Sequence, residues 1–266
     1  MSCKTILNEN KAYWSQRAGG YSEVNRLELG SRQRARWRTE LCGQIAAHFP
    51  GRAPESLRVL DVGTGPGFFA ILLAEAGYRV TAIDLTPEML AEARRNAGAL
   101  AARIDFREMN AEETAFPDGA FDVIVTRNLT WNLPHPEKAC REWARLLRRG
   151  GLLLNFDANW YGYLFDADKR AAFAADRDNS AAQGIGDQNV GENFDVMEDI
   201  ARRVPLSNTL RPQWDIETLT ALGLTVSADE GVWERVWSAE EKINFASTPL
   251  FLVAAEKEPH FFSGCC

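Results

Sequence analysis

Residues 59–67 read VLDVGTGPG, and the fold is decided there. The run from Arg58 to Leu60 is β-branched and aliphatic, as a buried parallel strand requires, and FFAILLAEAG (68–77) carries the apolar spacing of a helix. Between them lies a turn crowded with glycine. Gly63, Gly65 and Gly67 accept positive φ angles and carry no Cβ, so the backbone there can approach a ligand closely at a helix N-terminus. A second predicted strand, YRVTAID (78–84), ends in Asp84, placed like the acid that accepts hydrogen bonds from ribose hydroxyls in doubly wound folds. Strand, glycine turn, helix, strand and acid together describe a nucleotide-type site.

The turn is not a dinucleotide cradle. That pattern wants G-x-G-x-x-G, but counting from Gly63 the third glycine falls on Phe68, and the chain offers Gly67 instead. Asp61, ahead of the first glycine, would repel a pyrophosphate and suits a ligand carrying an ammonium. An amino-acid nucleoside fits both ends of the site. A nicotinamide-dependent oxidoreductase is the alternative, and the glycine spacing speaks against it.

Working outward, strand and helix alternate from 58 to 157, with strands expected near 58–62, 79–84, 103–107, 121–126 and 151–157. Such alternation predicts an α/β, doubly wound sheet, mostly parallel, with helices on both faces. An amphipathic helix is expected over 31–49, and helix 214–222, strand 223–229 and a last strand 248–256 bring the sheet to seven strands. Two segments lie outside the rhythm: the N-terminal one, with Tyr13, Trp14 and Tyr21 in a polar setting, and 158–212, rich in acids and aromatics.

The motifs resemble those of class I S-adenosylmethionine-dependent methyltransferases, specifically the small-molecule branch similar to the ubiquinone/menaquinone-biosynthesis methyltransferases. VLDVGTGPG resembles the family's first motif, VTAIDLTPEML (80–90) its second, and NAEETAFPDGAFDVIVTRNLTWNL (110–133) its third and fourth. EWARLLRRGGLLLNFD (142–157) resembles the helix, glycine pair and fifth strand that follow. The resemblance implies a Rossmann-like methyltransferase fold with a final antiparallel hairpin and helical lid insertions. It further implies one methyltransferase domain over 1–266, with an N-terminal cap (1–35) and a lid (158–212) covering the substrate. S-adenosylmethionine is the implied cofactor and S-adenosylhomocysteine the implied product. By the same resemblance Asp61, Gly63 and Gly65 face the methionine part, Asp84 the ribose, Leu85 and Met89 the adenine ring, and Ala111 the adenine edge through its backbone. Arg127 would use its main chain near the methionine amine. Asn110 stands where the family usually has aspartate, and its amide oxygen can still accept from the adenine amino group.

The rest of the chain narrows the function classes. No apolar run reaches the roughly 20 residues that span a bilayer, and the N-terminus lacks the apolar core of a signal peptide, so a cytoplasmic location without membrane attachment is expected. Five cysteines show no C-x-x-C spacing, and vicinal Cys265 and Cys266, even with His260 and Cys3, lack the spacing of a zinc site, so no metal is expected. His48 continues the apolar stripe of Trp37, Leu41, Ile45 and Phe49 and reads as a core-edge residue. Arg32, Arg34, Arg36 and Arg38 project onto two opposite helix faces and read as a solvated helix with ion pairs, not as a nucleic-acid stripe. Between Trp160 and Ile200 nine carboxylates face three cations, which accounts for most of the formal charge of −7. Nucleic acid is disfavoured, and an acidic lid would steer a cationic or amine acceptor.

A sulfonium is already an activated methyl donor, so alignment and exclusion of water are the main demands, and a base is needed only for a protonated acceptor. His135, just before a helix, and Tyr161 are the candidate catalytic groups. Tyr21 can close over the sulfonium or serve the cofactor carboxylate. The acceptor is expected just past the fourth and fifth strands, at Asn128, Trp131, Asp157, Asn159, Trp160, Tyr161 and Tyr163. Alternatives that keep the cofactor are a non-methylating S-adenosylmethionine-using enzyme and a sensor that only binds it.

Overall fold

The computed structural model describes residues 3–186 and 194–258. Its seven strands are β1 (Arg58–Val62), β2 (Arg79–Asp84), β3 (Ile104–Glu108), β4 (Phe121–Arg127), β5 (Leu147–Asp157), β6 (Leu224–Asp229) and β7 (Phe251–Lys257). They form one sheet in the order β3-β2-β1-β4-β5-β7-β6. The first five run parallel, while β7 lies antiparallel between β5 and β6. The chain therefore winds outward from β1 in both directions, and the switch falls between β1 and β4, where open α/β sheets hold ligands beyond their carboxyl edges.

Helices α1 (Cys3–Gly30) and α2 (Arg32–His48) precede the sheet, and α3 (Phe68–Glu75), α4 (Pro87–Ala97) and α5 (Pro136–Leu146) fill the crossovers. After β5 come α6 (Ala167–Ala182), α7 (Phe194–Ala201) and α8 (Gln213–Ala221), and α9 (Val232–Val236) and α10 (Ala239–Asn244) separate β6 from β7. Ser31, which begins the expected amphipathic helix, accepts from the Gln33 N–H at 3.1 Å and so caps α2.

Period-two alternation along the strands divides the core. Val59, Val80, Val123, Val125 and Leu154 meet Trp37, Leu41 and Ile45 of α2, the apolar α3 and Val232 and Val236 of α9 on one face. Leu60, Ile83, Ile124 and Leu153 meet Trp143 and Leu146 of α5 and Leu219 of α8 on the other. Burial on both faces explains why these strands read as nearly continuous apolar runs. β5 begins four residues before the expected 151, because Leu147 pairs with Phe121 across a register shift. His48 sits at the core edge as expected, its Nε2 3.1 Å from the Gly150 carbonyl oxygen. Arg34 pairs with Glu75 and Arg36 donates to the Trp237 carbonyl, so the basic stretch of α2 is a solvated face with local partners.

The largest departure from the expectations is α1. The polar and aromatic N-terminal segment is a single helix whose inner face mixes Tyr13 and Ala18 with Asn10, Ser22, Asn25 and Glu28, all buried. Among the described residues no helix is long and apolar enough to cross a membrane, and no cluster of side chains is suited to a metal ion. His260, Cys265, Cys266, Asp187 and Glu192 lie outside the described residues, as does the side chain of Cys3.

Candidate functional site

At the carboxyl edge of β1 the backbone turns through Gly63 (φ 66°), Gly65 (φ 52°) and Gly67 (φ 92°) into α3. Gly63 has no room for a side chain, since a Cβ there would stand 2.8 Å from Leu129. Gly65 is different, because a Cβ would point toward the Tyr21 ring 3.6 Å away and into a cleft. Asp84 holds this turn in place: Oδ2 accepts from the Gly65 N–H and Oδ1 from the Thr86 N–H, both at 2.9 Å. A carboxylate offers about four acceptor sites, so both oxygens keep capacity for hydroxyls of a ligand. Asp61 is buried, with Oδ2 accepting from the Thr64 hydroxyl at 2.6 Å and the Ala70 N–H at 3.0 Å. Burial raises its pKa to about 7, against the pull of those two donors and of Arg127.

All of the expected cofactor residues line this one cleft: Tyr21, Asp61, Gly63, Gly65, Asp84, Leu85, Met89, Asn110, Ala111 and Arg127. The space, counted with its open mouth, is about 1000 Å³. The Ala111 N–H meets no acceptor among the described residues, while its carbonyl accepts from Trp143 Nε1 at 3.0 Å. Asn110 differs from expectation in detail. Its Oδ1 already accepts from the Glu112 N–H at 3.0 Å, so one of the oxygen's two lone pairs closes a local turn before any ligand arrives.

Tyr21 joins the cleft to a second cavity. Burial raises the pKa of its hydroxyl, which Arg127 and Asn128 approach, so it stays protonated as a donor. Asn128 ends β4 at φ 57°, the left-handed conformation that asparagine tolerates better than most residues. It faces both cavities, and its carbonyl accepts from Trp131 Nε1 at 3.0 Å. Trp14, Trp131, Trp160, Tyr161, Tyr163, Phe194 and Phe245 complete this aromatic chamber. Tyr161 lies 4.8 Å from the Trp131 ring, Trp160 meets Phe245 edge-on at 5.4 Å, and Tyr163 stacks on Phe173 while donating to Glu198 at 2.8 Å.

Several expected site residues do other work. Asp157 is fully buried and paired with Arg211 at 2.6 Å, and Arg211 also grips Asp215 at 2.6 Å. A carboxylate so committed does not face an acceptor; it accepts from the Trp131 N–H at 3.0 Å and thereby sets the chamber wall. Asn159 is likewise structural, donating from Nδ2 to the Arg211 carbonyl at 2.9 Å. His135 is exposed at the N-terminus of α5, and its backbone N–H donates to Glu112 Oε1 at 2.8 Å, which makes it a turn residue and not a base in the cleft. Tyr161 does line the chamber, but burial raises its hydroxyl pKa far above neutrality, so it can donate a hydrogen bond and cannot act as a base.

The sequence reading missed the underside of the site. The Arg127 guanidinium forms two 2.9 Å hydrogen bonds to Glu28 and lies 4.4 Å from the Phe68 ring centroid and 5.3 Å from that of Trp37. Glu28 joins Leu7, Asn10, Trp14, Tyr21 and Asn25 in a stripe of three- and four-residue spacings along α1, and that spacing was the available signal. Its mixed polarity hides it from hydrophobic periodicity. Four described acids of 158–212 have partners: Asp166 caps α6, Asp176 accepts from the Ser247 N–H, Glu198 accepts from the Tyr163 hydroxyl and Asp199 pairs with Arg203.

Residues 60–155 match the family described as methyltransferase domain. The chain is 38% identical over 138 residues to the ubiquinone/menaquinone biosynthesis C-methyltransferase UbiE of Methylobacterium nodulans, a match covering 50% of this chain and 53% of the relative. It spans about half, or less, of the length of the curated relatives it matches. Among solved structures it superposes on the methyltransferase bound to the Trm112 activator of Haloferax volcanii with a TM-score of 0.58 at 17% identity, covering 93% of this chain and 98% of that one. The Haemonchus contortus phosphoethanolamine N-methyltransferase 2, solved with S-adenosyl-L-methionine, gives 0.54 at 18% identity over 81% of this chain and 51% of that one. The fold is thus the Rossmann-like fold of class I S-adenosylmethionine-dependent methyltransferases, and the chain is similar to the ubiquinone/menaquinone branch.

Proposed function

We propose that this chain, with its methyltransferase domain over residues 60–155, transfers a methyl group from S-adenosylmethionine to a small-molecule acceptor held in the aromatic chamber. The observation that carries the proposal is the single cleft that gathers both carboxylates, the glycine turn and the unmatched Ala111 N–H, next to a chamber reached past Tyr21 and Asn128. Asp84 would hold the ribose, Leu85 and Met89 the adenine faces, Ala111 the adenine edge, and Asp61 the ammonium. Once bound, the cofactor supplies an electrophilic methyl group.

The protein's own contribution is alignment and exclusion of water. Trp14, Tyr21 and Asn128 form the boundary between cleft and chamber, so an acceptor stacked on the rings has its reacting atom held toward the donor. Confinement of this kind supplies much of the rate in a displacement on an activated carbon. Neither Tyr161 nor Tyr163 is suited to remove a proton, because both hydroxyls are raised well above neutral pH. Acceptors that arrive already deprotonated, or with an available lone pair, are favoured. An amine acceptor finds support in the ring faces of the chamber.

The test is incubation with methyl-labelled S-adenosylmethionine and a panel of nitrogen, oxygen, sulfur and carbon acceptors. The expected result is label in a product together with S-adenosylhomocysteine. Binding of S-adenosylhomocysteine with no labelled product across the panel would point to the sensor or the non-methylating reading. Thermal protection by NAD(P) and none by S-adenosylhomocysteine would reject the cofactor altogether.

A further inference from the structure

We infer that the acceptor carries a carboxylate and that Arg17 binds it; this rests on the methyl-transfer reading above. Arg17 projects from α1 into a pocket that adjoins the chamber and shares Trp14, Tyr21, Asn128, Trp160 and Tyr161 with it. It is half-buried, and no described residue accepts a hydrogen bond from its guanidinium or forms an ion pair with it. The other charges of this pocket are engaged: Glu28 with Arg127 at 2.9 Å, and Glu241 with Gln33 and the Ser238 N–H. Glu28 and Glu241 both act on Arg127, whereas Arg17 acts on the hydroxyls of Tyr13 and Tyr161.

A guanidinium presents five donors in a planar fork, and partial burial without an acceptor is costly. A carboxylate matches the fork bidentately, as a phosphate also can, and a planar acid has the flat apolar body that suits the ring faces around it. The acceptor is favoured over the cofactor as the source of this carboxylate, because the pocket of Arg17 shares most of its aromatic wall with the chamber and Arg17 is not among the residues lining the cofactor cleft. The geometry thus describes a planar acid, its carboxylate on Arg17 and its reacting atom toward Asn128 and Tyr21.

The experiment titrates the full-length chain by calorimetry, first with S-adenosylhomocysteine and then, on the saturated protein, with two matched probe series. One is 4-hydroxyphenylacetate, its amide and tyramine; the other is indole-3-acetate, its amide and tryptamine. In at least one series the acid is expected to bind about tenfold tighter than its amide and its amine. Arg17→Gln should reduce the acid to the level of the amide while leaving the amide and S-adenosylhomocysteine within about twofold, and Arg17→Lys should keep part of the preference. The inference is overturned if neither acid binds better than its amide, if an amine binds best, or if the preference survives Arg17→Gln. A tenfold loss of S-adenosylhomocysteine affinity in Arg17→Gln would also overturn it, by assigning the guanidinium to the cofactor's carboxylate. Should S-adenosylhomocysteine fail to bind the unsubstituted chain, the methyl-transfer reading falls, and the same ranking of acids over amides is then required of the apo protein.

Discussion

The proposed contact of Asp61 with the cofactor's ammonium would give binding a pH dependence whose size follows from the burial of the carboxylate. Its pKa rises from 3.8 to about 7, because desolvation of the carboxylate outweighs the donors Thr64 and Ala70. An acid raised in the folded state lends stability that is fully present below its unfolded value and is lost as pH climbs through the folded one. The apo protein therefore loses stability across the window from 3.8 to about 7, by up to roughly 4 kcal/mol. A ligand ammonium reverses the preference, since it favours the charged carboxylate. With a pKa near 7, about half of the protein holds Asp61 charged at pH 7 and about a tenth at pH 6, so the dissociation constant for S-adenosylhomocysteine should weaken about fivefold over that unit. Calorimetry in buffers of different ionisation enthalpy should also show proton release on binding near pH 6. Asp61→Asn should bind more weakly at pH 7 and with no such slope. Affinity that is flat between pH 6 and 7, or a slope that persists in Asp61→Asn, would refute the assignment of Asp61 to the ammonium.

Asp84→Ala removes the acceptor of two backbone N–H groups along with the proposed ribose contact, and S-adenosylhomocysteine should bind at least about tenfold more weakly by calorimetry. Arg211→Met leaves Asp157 and Asp215 buried without their cation, so urea unfolding should show a loss of about 3–5 kcal/mol, larger than for any exposed ion pair. His135→Ala should leave kcat for methyl transfer within about twofold, because the turn uses its backbone N–H and the side chain is exposed. Gly63→Ala sets a Cβ against Leu129 at a positive φ, and thermal melting should register about 1–3 kcal/mol of destabilisation.

The parallel core was legible because its central strands β1, β4 and β5 are buried on both faces and the helices α4 and α5 are amphipathic. Arg58 to Val62 and Arg79 to Asp84 were bounded to the residue by their apolar runs and by the turn chemistry after them. The lining of the cleft followed, since its residues sit in short motifs at strand ends. The lining of the chamber was half legible. Trp131, Trp160, Tyr161 and Tyr163 were expected near one another from their position after β4 and β5, but Phe194 and Phe245 reach the chamber, and Arg17 the pocket beside it, from distant segments, and no local pattern announces that. Asp157 misled for a physical reason. A carboxylate at the end of a parallel strand looks available for a ligand, and only the fold shows that Arg211, 54 positions later, claims it.

The long first helix lies over both cavities and is fastened to its neighbours by small polar links, including Lys11 to Glu108 at 2.7 Å and Ser15 to Glu88 at 2.9 Å. Exposed links of this kind are individually weak, whereas the Glu28–Arg127 pair near the other end of the helix is buried, so α1 is expected to loosen from its N-terminal end while its last turns stay on the sheet. Under the proposed reaction, spent donor and product would share an exit at that end. Salt, which loosens such links, should then raise the rates of both capture and release.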